Sequence, residues 1–198
     1  MTLEQFRPLA GRLLRPLAGP CIRAGLTPNS FSVMAFLASV AAGLAFFTGG
    51  VPVATGLVAV NALFDALDGT IAREMQLAST RGDFLDHVLD RYSDVFIITG
   101  IFAGGAAPWI LGVFGLTGVL MASYLGTQAQ AVGIGRYYGG TLGRADRLVL
   151  VVLAGLLTLW MPAGIMGFSF LGWLLLVFGI FGHATAVQRF FHVWSRIR

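Results

Sequence analysis

Acidic residues are few in this chain, and most of them lie close together. Of the nine Asp and Glu residues in the 198-residue sequence, seven fall between positions 65 and 94. Asp65 and Asp68 are three residues apart, and Asp86 and Asp90 are four apart, so each pair projects from one face of a helix. Carboxylates that converge repel one another unless cations lie between them. The spacing therefore indicates a cation-binding or catalytic centre.

Hard divalent cations compensate such a cluster most directly. Mg2+ and Mn2+ prefer oxygen ligands and often share them with substrate phosphates, and two ions about 4 Å apart can clamp a phosphoryl group during transfer. Gly69 and Gly82 lie beside the acids and would let a phosphate or nucleotide approach the backbone. The alternative is a structural network neutralised by Arg73, Arg81 and Arg91, but the acids outnumber these arginines.

The composition predicts that the acids are carried by transmembrane helices. The chain is 57% hydrophobic and only 11% charged, with a mean hydropathy of +0.81. A soluble domain has about a quarter of its residues charged, and a disordered chain is poor in apolar residues, so both classes are excluded. One bilayer crossing takes about 20 apolar residues. Apolar runs occupy 30–48, 52–72, 84–104, 108–132, 146–161 and 164–187, which predicts an all-α polytopic membrane protein with six transmembrane helices.

The amino-terminal segment has a different pattern. In residues 3–17 the leucines and Phe6 share one helical arc, and Arg12 and Arg15 lie opposite, which is typical of an interfacial amphipathic helix. We expect a single membrane domain over residues 1–198, with this helix and a linker at 1–25 and a six-helix bundle at 26–198.

The basic residues predict the orientation. All 13 are arginine, and with six spans they fall at or near one face, which the positive-inside rule assigns to the cytoplasm. They are spread singly between apolar runs, so topology explains them better than nucleic-acid binding does. We expect an integral cell-membrane protein in the lipid bilayer, with its active site at the cytoplasmic face and no nucleic-acid partner.

The acidic pattern also resembles a known family. The string Asp65-x2-Asp68-Gly69-x2-Ala72-Arg73-x8-Gly82-x3-Asp86-x3-Asp90 matches all eight positions of the CDP-alcohol phosphotransferase (phosphatidyltransferase) signature. Three further segments are similar to the lipid-synthesising members, which include phosphatidyl- and archaetidylinositol phosphate synthases and glycerophosphate synthases. They are Leu26-Thr27-Pro28-Asn29, Ser123-Tyr124 and Arg144-Ala145-Asp146-Arg147-Leu148. The resemblance covers nearly the whole chain.

The resemblance implies a role for each matching residue. Four aspartates would hold two divalent ions, Mg2+ or Mn2+, that bind the diphosphate of a CDP-linked lipid. Asp90 would also act as the general base on the acceptor hydroxyl, with CMP leaving. The family further implies a homodimer. The metal ligands would be Asp65, Asp68, Asp86 and Asp90, and the CDP or CMP site would comprise Asp68, Gly69, Ala72, Arg73 and Gly82, with Pro28 beside them.

The acceptor alcohol is left open between inositol phosphate and glycerol phosphate. Members that use inositol phosphate usually carry basic residues after the fourth-span Ser-Tyr, whereas residues 125–130 here are uncharged. Arg136, Arg144 and Arg147 are predicted to bind the acceptor's phosphate, because arginine suits bidentate recognition. Asp94 lies one turn beyond Asp90 and is expected to pair with an arginine.

Two other classes of protein also use acidic residues in a membrane. An intramembrane prenyltransferase binds a diphosphate through metal-bound aspartates, but it usually needs more spans than this length allows. A non-enzymatic cation transporter with an acidic site would conduct metal ions and would not depend on a CDP-lipid.

Overall fold

A computed structural model describes residues 7–77, 79–135, 137 and 139–197, and these residues form a bundle of helices. Within these ranges no strand occurs, and the β-type pairing is an isolated bridge between Ile165 and Phe168. The helices are α1 Arg7–Arg23, α2 Pro28–Phe47, α3 Val51–Glu74, α4 Thr80–Ala103, α5 Trp109–Ala131, α6 Arg144–Trp160 and α7 Phe170–Trp194. The all-helical expectation is confirmed for this part of the chain.

Helices α2 to α7 follow the six apolar runs closely, and the largest differences are at the two ends of α7, which ends at Trp194, seven residues beyond the run. The run begins at residue 164, but the helix begins at Phe170. Gly164 has a φ of +64°, and a Cβ added there would lie 2.0 Å from the Phe168 carbonyl oxygen. This turn delays the helix because its backbone is not helical.

Four helices, α2, α3, α5 and α7, are long and apolar enough to cross a membrane. The protein is thus a membrane protein, while the predicted count of six spans exceeds these four. Helix α4 falls short because its first half carries the acidic residues and arginines of the cluster. Helix α6 has 17 residues, which at 1.5 Å per residue extend roughly 25 Å.

Helix α1 lies against the same end of the bundle as the acidic residues. It contacts α3, and its Ala18 is fully buried in a small apolar cluster with Phe31, Leu67 and Ile71. Residues 1–6 of the predicted interfacial segment lie outside the described residues. Its position on the bilayer surface stays a prediction.

The packing order brings three helices to the acidic cluster. Helix α2 packs against both α3 and α4, α6 packs against α3, and α5 packs mainly against α7. The main core fills the space between them with side chains such as Phe46, Val58, Ile98 and Val151. At one polar end, ion pairs join side chains of α3, α4 and α6.

The short connection between α3 and α4 keeps their acids together. Helix α3 ends at Glu74, and α4 begins at Thr80 after the N-cap residue Ser79. The Ser79 hydroxyl accepts a hydrogen bond from the Gly82 backbone N–H at 3.1 Å, which satisfies one of the free donors of the first turn. Because the connection is short and α2 packs against both helices, acids from the last turns of α3 and the first turns of α4 lie close together.

Candidate active site

Three of the predicted metal ligands converge where α3 and α4 meet. Carboxylate oxygens of Asp65, Asp68 and Asp86 all lie within 4.8 Å of one another. Two come from the penultimate turns of α3 and the third from the second turn of α4. Oxygen donors at this spacing fit a hard divalent cation. The predicted convergence is thus present for three of the four aspartates.

Asp68 has a second contact that the acidic pattern did not indicate. The Ser32 hydroxyl of α2 donates a hydrogen bond of 2.9 Å to Asp68 Oδ2, and Ser32 is only 6% exposed. A buried donor of this kind fixes the rotamer of a ligating carboxylate. Ser32 precedes Asp68 by 36 residues, so no short motif could reveal the pair, although both lie on helices that pack together.

A cavity of about 190 Å³ opens beside Asp68 and Asp86. Its lining includes five of the six residues predicted to bind the nucleotide, and Asn29, Ser79 and Leu77 complete one wall. A Cβ added to Gly82 would come within 3.2 Å of Asn29 Oδ1 and 3.3 Å of Ser79 Oγ, so glycine keeps this wall open. The five predicted residues in the lining are Pro28, Asp68, Gly69, Ala72 and Gly82.

Arg73, the sixth predicted nucleotide residue, folds back along its own helix. Its Nη2 donates to Thr70 Oγ1 at 3.3 Å, and its Nη1 lies 3.4 Å from the position of a Cβ on Gly69. The side chain is exposed at the end of α3. It therefore lies next to the cavity without lining it.

Asp90 is the predicted ligand that lies deepest, and its main partner is an arginine. It is 9% exposed, and its Oδ1 is 3.0 Å from Nη2 of Arg144. The same guanidinium reaches α3, because Arg144 Nε is 3.2 Å from Asp65 Oδ1. Arg144 was predicted to bind the acceptor's phosphate; in the structure it lies between two of the acids, and the acceptor contact stays a prediction.

Arg147 has a similar outcome. It is 5% exposed, and its Nη2 donates to Asp94 Oδ2 at 2.9 Å. Arg91 Nη1 is 3.2 Å from the same Asp94 oxygen, so the arginine partner expected for Asp94 is present. Arg147 is thus held by a buried carboxylate, and its contact with the acceptor stays a prediction.

One predicted acceptor residue, and one histidine next to a predicted metal ligand, remain to be placed. Arg136 lies outside the described residues, so its acceptor role stays a prediction. His87 follows Asp86 on α4, and its Nδ1 lies 2.7 Å from the Asp83 carbonyl oxygen. This local contact agrees with a packing or capping role for the imidazole.

The comparisons with known proteins bear on this arrangement. The family model for CDP-alcohol phosphatidyltransferase matches residues 25–184, a range that contains all four aspartates, the cavity and Arg144. The chain belongs to the CDP-alcohol phosphatidyltransferase family. It is accordingly an enzyme, a membrane-bound transferase of phospholipid synthesis, and neither the prenyltransferase nor the transporter alternative is retained.

The alignments of this CDP-alcohol phosphatidyltransferase with named relatives cover nearly its whole length. Archaetidylinositol phosphate synthase of Methanothermobacter thermautotrophicus is 34% identical over 200 aligned residues, which cover 99% of this chain and 96% of the relative. The crystal structure of Mycobacterium tuberculosis phosphatidylinositol phosphate synthase with CDP-DAG bound matches with a TM-score of 0.79 at 29% identity. The match covers 93% of this chain and 94% of that one.

A second crystal structure of the mycobacterial enzyme is a complex with manganese and citrate. It matches with a TM-score of 0.78 at 29% identity, over 91% of this chain and 88% of that one. Together with the convergent oxygens of Asp65, Asp68 and Asp86, it points to a divalent metal cofactor in this phosphatidyltransferase.

Proposed function

We propose that this phosphatidyltransferase moves a phosphatidyl- or archaetidyl-type group from a CDP-lipid to the hydroxyl of a polar, phosphorylated alcohol and releases CMP. The observation that carries the proposal is the convergence of three signature carboxylates beside a cavity lined by signature residues. The relatives are named as synthases of archaetidylinositol phosphate and phosphatidylinositol phosphate, which favours inositol phosphate as the acceptor, with glycerol phosphate as the alternative.

The aspartates are proposed to bind two divalent ions, Mg2+ or Mn2+. Asp65, Asp68 and Asp86 offer oxygens within 4.8 Å of one another, and Asp90 would supply the fourth carboxylate. When bound, such ions neutralise the negative charge of a diphosphate and of the leaving CMP. The aspartate carboxylates would hold the ions beside the diphosphate, and the Ser32 hydroxyl donates a hydrogen bond to one oxygen of Asp68.

The cavity is proposed to hold the cytidine monophosphate part of the donor. Gly69 and Gly82 leave room for the nucleotide to approach the backbone, and Pro28 and Ala72 supply apolar surface. The exposed guanidinium of Arg73, at the end of α3, would pair with a phosphate oxygen.

Asp90 is proposed as the general base. It would take the proton of the acceptor hydroxyl while the hydroxyl oxygen forms a bond to the lipid-side phosphorus and the bond from that phosphorus to CMP breaks. Its Oδ1 is held by Arg144, whereas its Oδ2 is 3.8 Å from Arg91, beyond hydrogen-bond distance. The second oxygen is thus available for a proton.

The wider setting of the reaction is also proposed. Helices α4 and α6 would cross the bilayer with α2, α3, α5 and α7, giving six spans in a single domain over residues 1–198. The arginines near the α3–α4 and α5–α6 connections favour the cytoplasm for the site. Arg136, which belongs to the α5–α6 connection, keeps its predicted role towards the acceptor phosphate, and the chain is expected to form a homodimer.

An acceptor screen tests this function. The purified protein is incubated with a CDP-lipid, Mn2+ or Mg2+, and one of inositol phosphate, glycerol phosphate, serine or free inositol, and CMP is measured. We expect CMP with a phosphorylated acceptor, no CMP after chelation of the metal, and recovery on adding Mn2+. The Asp90→Asn variant should lose at least about 100-fold in rate, since a general base contributes about 10²–10⁴-fold.

The matched control is Glu74→Gln on α3, which removes an acid that pairs with Arg15 at the helix end. It should keep wild-type activity. No CMP with any acceptor, or full activity in Asp90→Asn, would contradict the proposed function. CMP release with serine or free inositol alone would contradict the phosphorylated acceptor.

A further inference from the structure

Arg144 connects three helices through a single guanidinium. It is the first residue of α6, and its Nε is 3.2 Å from Asp65 Oδ1 on α3. Its Nη2 is 3.0 Å from Asp90 Oδ1 on α4, and its Nη1 donates to the Asp90 carbonyl oxygen at 2.9 Å. The planar fork of arginine suits simultaneous contacts of this kind, which lysine cannot make.

The contacts of Arg144 are supported by a second pair one turn further along. Asp94 follows Asp90 by one turn of α4, and Arg147 follows Arg144 by about one turn of α6. Arg147 Nη2 is 2.9 Å from Asp94 Oδ2, and Arg144 Nη1 is 3.6 Å from Asp94 Oδ1. Asp94 and Arg147 are 4% and 5% exposed. Because this buried pair fixes α6 against α4, it also holds the backbone of Arg144 in place.

The start of α6 is held from the other side as well. Asp146 Oδ2 accepts a hydrogen bond of 2.7 Å from the Gly143 backbone N–H, which fixes the turn that leads into Arg144. The Arg144 side chain is only 12% exposed. The guanidinium therefore has little freedom to leave the two acids.

We propose that Arg144 is a positioning residue, which holds the carboxylates of Asp65 and Asp90 in the orientation that the reaction needs. The inference rests on the proposed function of these two aspartates. Arg144 acts through Asp65 and Asp90, and the Asp94–Arg147 pair keeps it in place. This differs from the role predicted from the sequence, in which Arg144 contacts the acceptor alcohol.

The two roles predict different measurements. If Arg144 bound the acceptor, its loss would raise the KM for the acceptor and leave metal binding unchanged. If Arg144 positions the carboxylates, its loss lowers kcat and weakens metal binding, while the KM for the acceptor changes little. Partners of ligating carboxylates typically contribute about 10–100-fold in metal affinity or activity.

The experiment compares Arg144→Gln and Arg144→Lys with the wild type. Mn2+ binding is measured without substrates, from the free Mn2+ signal in electron paramagnetic resonance, and CMP release is measured over a range of acceptor concentrations. For Arg144→Gln we expect about tenfold weaker Mn2+ binding and about tenfold lower kcat, with the acceptor KM within twofold. Arg144→Lys keeps the charge without the fork and should fall between Arg144→Gln and the wild type.

Arg196→Gln is the matched control. Arg196 donates to the His192 carbonyl oxygen on its own helix, so its loss should change neither Mn2+ binding nor CMP release. Size-exclusion chromatography verifies that each variant is folded, and Arg144→Lys keeps the test decisive if Arg144→Gln is unstable, because it retains the buried charge.

Two results would overturn the positioning role. One is a tenfold rise in acceptor KM with unchanged Mn2+ binding, and the other is wild-type or tighter Mn2+ binding with unchanged kcat in both variants. A failure of the proposed function is distinguishable, because the wild type would then release no CMP while the Mn2+ measurement would still report on Arg144.

Discussion

The polar end of α3, α4 and α6 and the apolar pair α5–α7 are held together in different ways. Around the site the helices are joined by charged contacts, such as Arg144 with Asp65 and Asp90. Helices α5 and α7 contain no Asp or Glu and meet through glycines. A Cβ on Gly182 would lie 2.5 Å from the Gly118 carbonyl carbon, so the two backbones are in direct contact.

This difference indicates that the polar end serves the reaction and that the α5–α7 contact serves the stability of the fold. A charged group at membrane depth is costly and persists where it has partners and a function, whereas close contact between small residues is a common way for apolar helices to associate in a bilayer. Changes at the polar end should therefore affect turnover more than stability. Changes between α5 and α7 should do the reverse.

The largest expected effect is at the acids. Asp68→Asn removes a charge from the convergent oxygens, and we expect CMP release to fall at least about 100-fold, in line with the loss of a group that stabilises charge in a transition state. The melting temperature should stay the same or rise, because repulsion among the acids decreases. Substantial activity in Asp68→Asn, measured beside Glu74→Gln, would contradict this division.

The second effect is a loss of stability at the α5–α7 contact. Gly182→Ala places a methyl group against the Gly118 backbone, and overpacking of this kind costs about 1–3 kcal/mol. We expect a lower melting temperature, with CMP release per folded molecule unchanged at low temperature. Gly56→Ala is the matched control, because a Cβ on Gly56 meets nothing within 4 Å. Equal melting temperatures for the two variants would show that α5 and α7 do not need this close approach.

A smaller effect is expected at Ser32. Ser32→Ala removes the donor to Asp68 Oδ2, and CMP release should fall about tenfold through a less well-oriented carboxylate. Ser32→Thr retains the hydroxyl and should recover part of the rate. Ser195→Ala, at the C-cap of α7, serves as the control and should have wild-type activity. Equal rates of CMP release in Ser32→Ala and the control would show that Ser32 does not contribute to the activity of the site.

The smallest effect is expected for the ion pair between α1 and α3. Arg15 Nε and Glu74 Oε1 are 2.8 Å apart, but the Arg15 side chain is 76% exposed. Exposed ion pairs contribute about 0–1 kcal/mol and are weakened by salt. Arg15→Gln should therefore shift the melting temperature only slightly at low ionic strength, with no shift at high salt. A loss comparable to that of Gly182→Ala would mean that α1 contributes more than its exposed contacts indicate.

The sequence predicted much of this arrangement because its signals are local. Apolar runs identify α2 to α7, since a helix in a bilayer needs an uninterrupted apolar stretch. The spacing of Asp65, Asp68 and Asp86 predicted their convergence, because it follows from helical periodicity and one short connection. The start of α7 was misplaced because Gly164 and its neighbours are apolar in composition yet form a turn.

The partners of the acids could not be predicted in the same way. Ser32 and Arg144 are distant from Asp68 and Asp90 in the sequence, and no pattern indicates which helix packs beside which. Arginines near one face of a membrane protein have several uses, namely orientation, ligand binding and neutralisation of acids. Only the distances from each arginine to its neighbouring groups show which of these uses applies.

The sequence by itself therefore determined the fold class, the family and the clustering of the carboxylates, because composition and fixed spacing are properties of short segments. The tertiary structure decided which side chains hold those carboxylates. It placed the Ser32 hydroxyl on Asp68, the Arg144 guanidinium between Asp65 and Asp90, and Arg147 on the buried Asp94. The physical reason is that hydrogen bonds and ion pairs act over a few ångströms, and only the packing of α2, α3, α4 and α6 brings these groups within that distance.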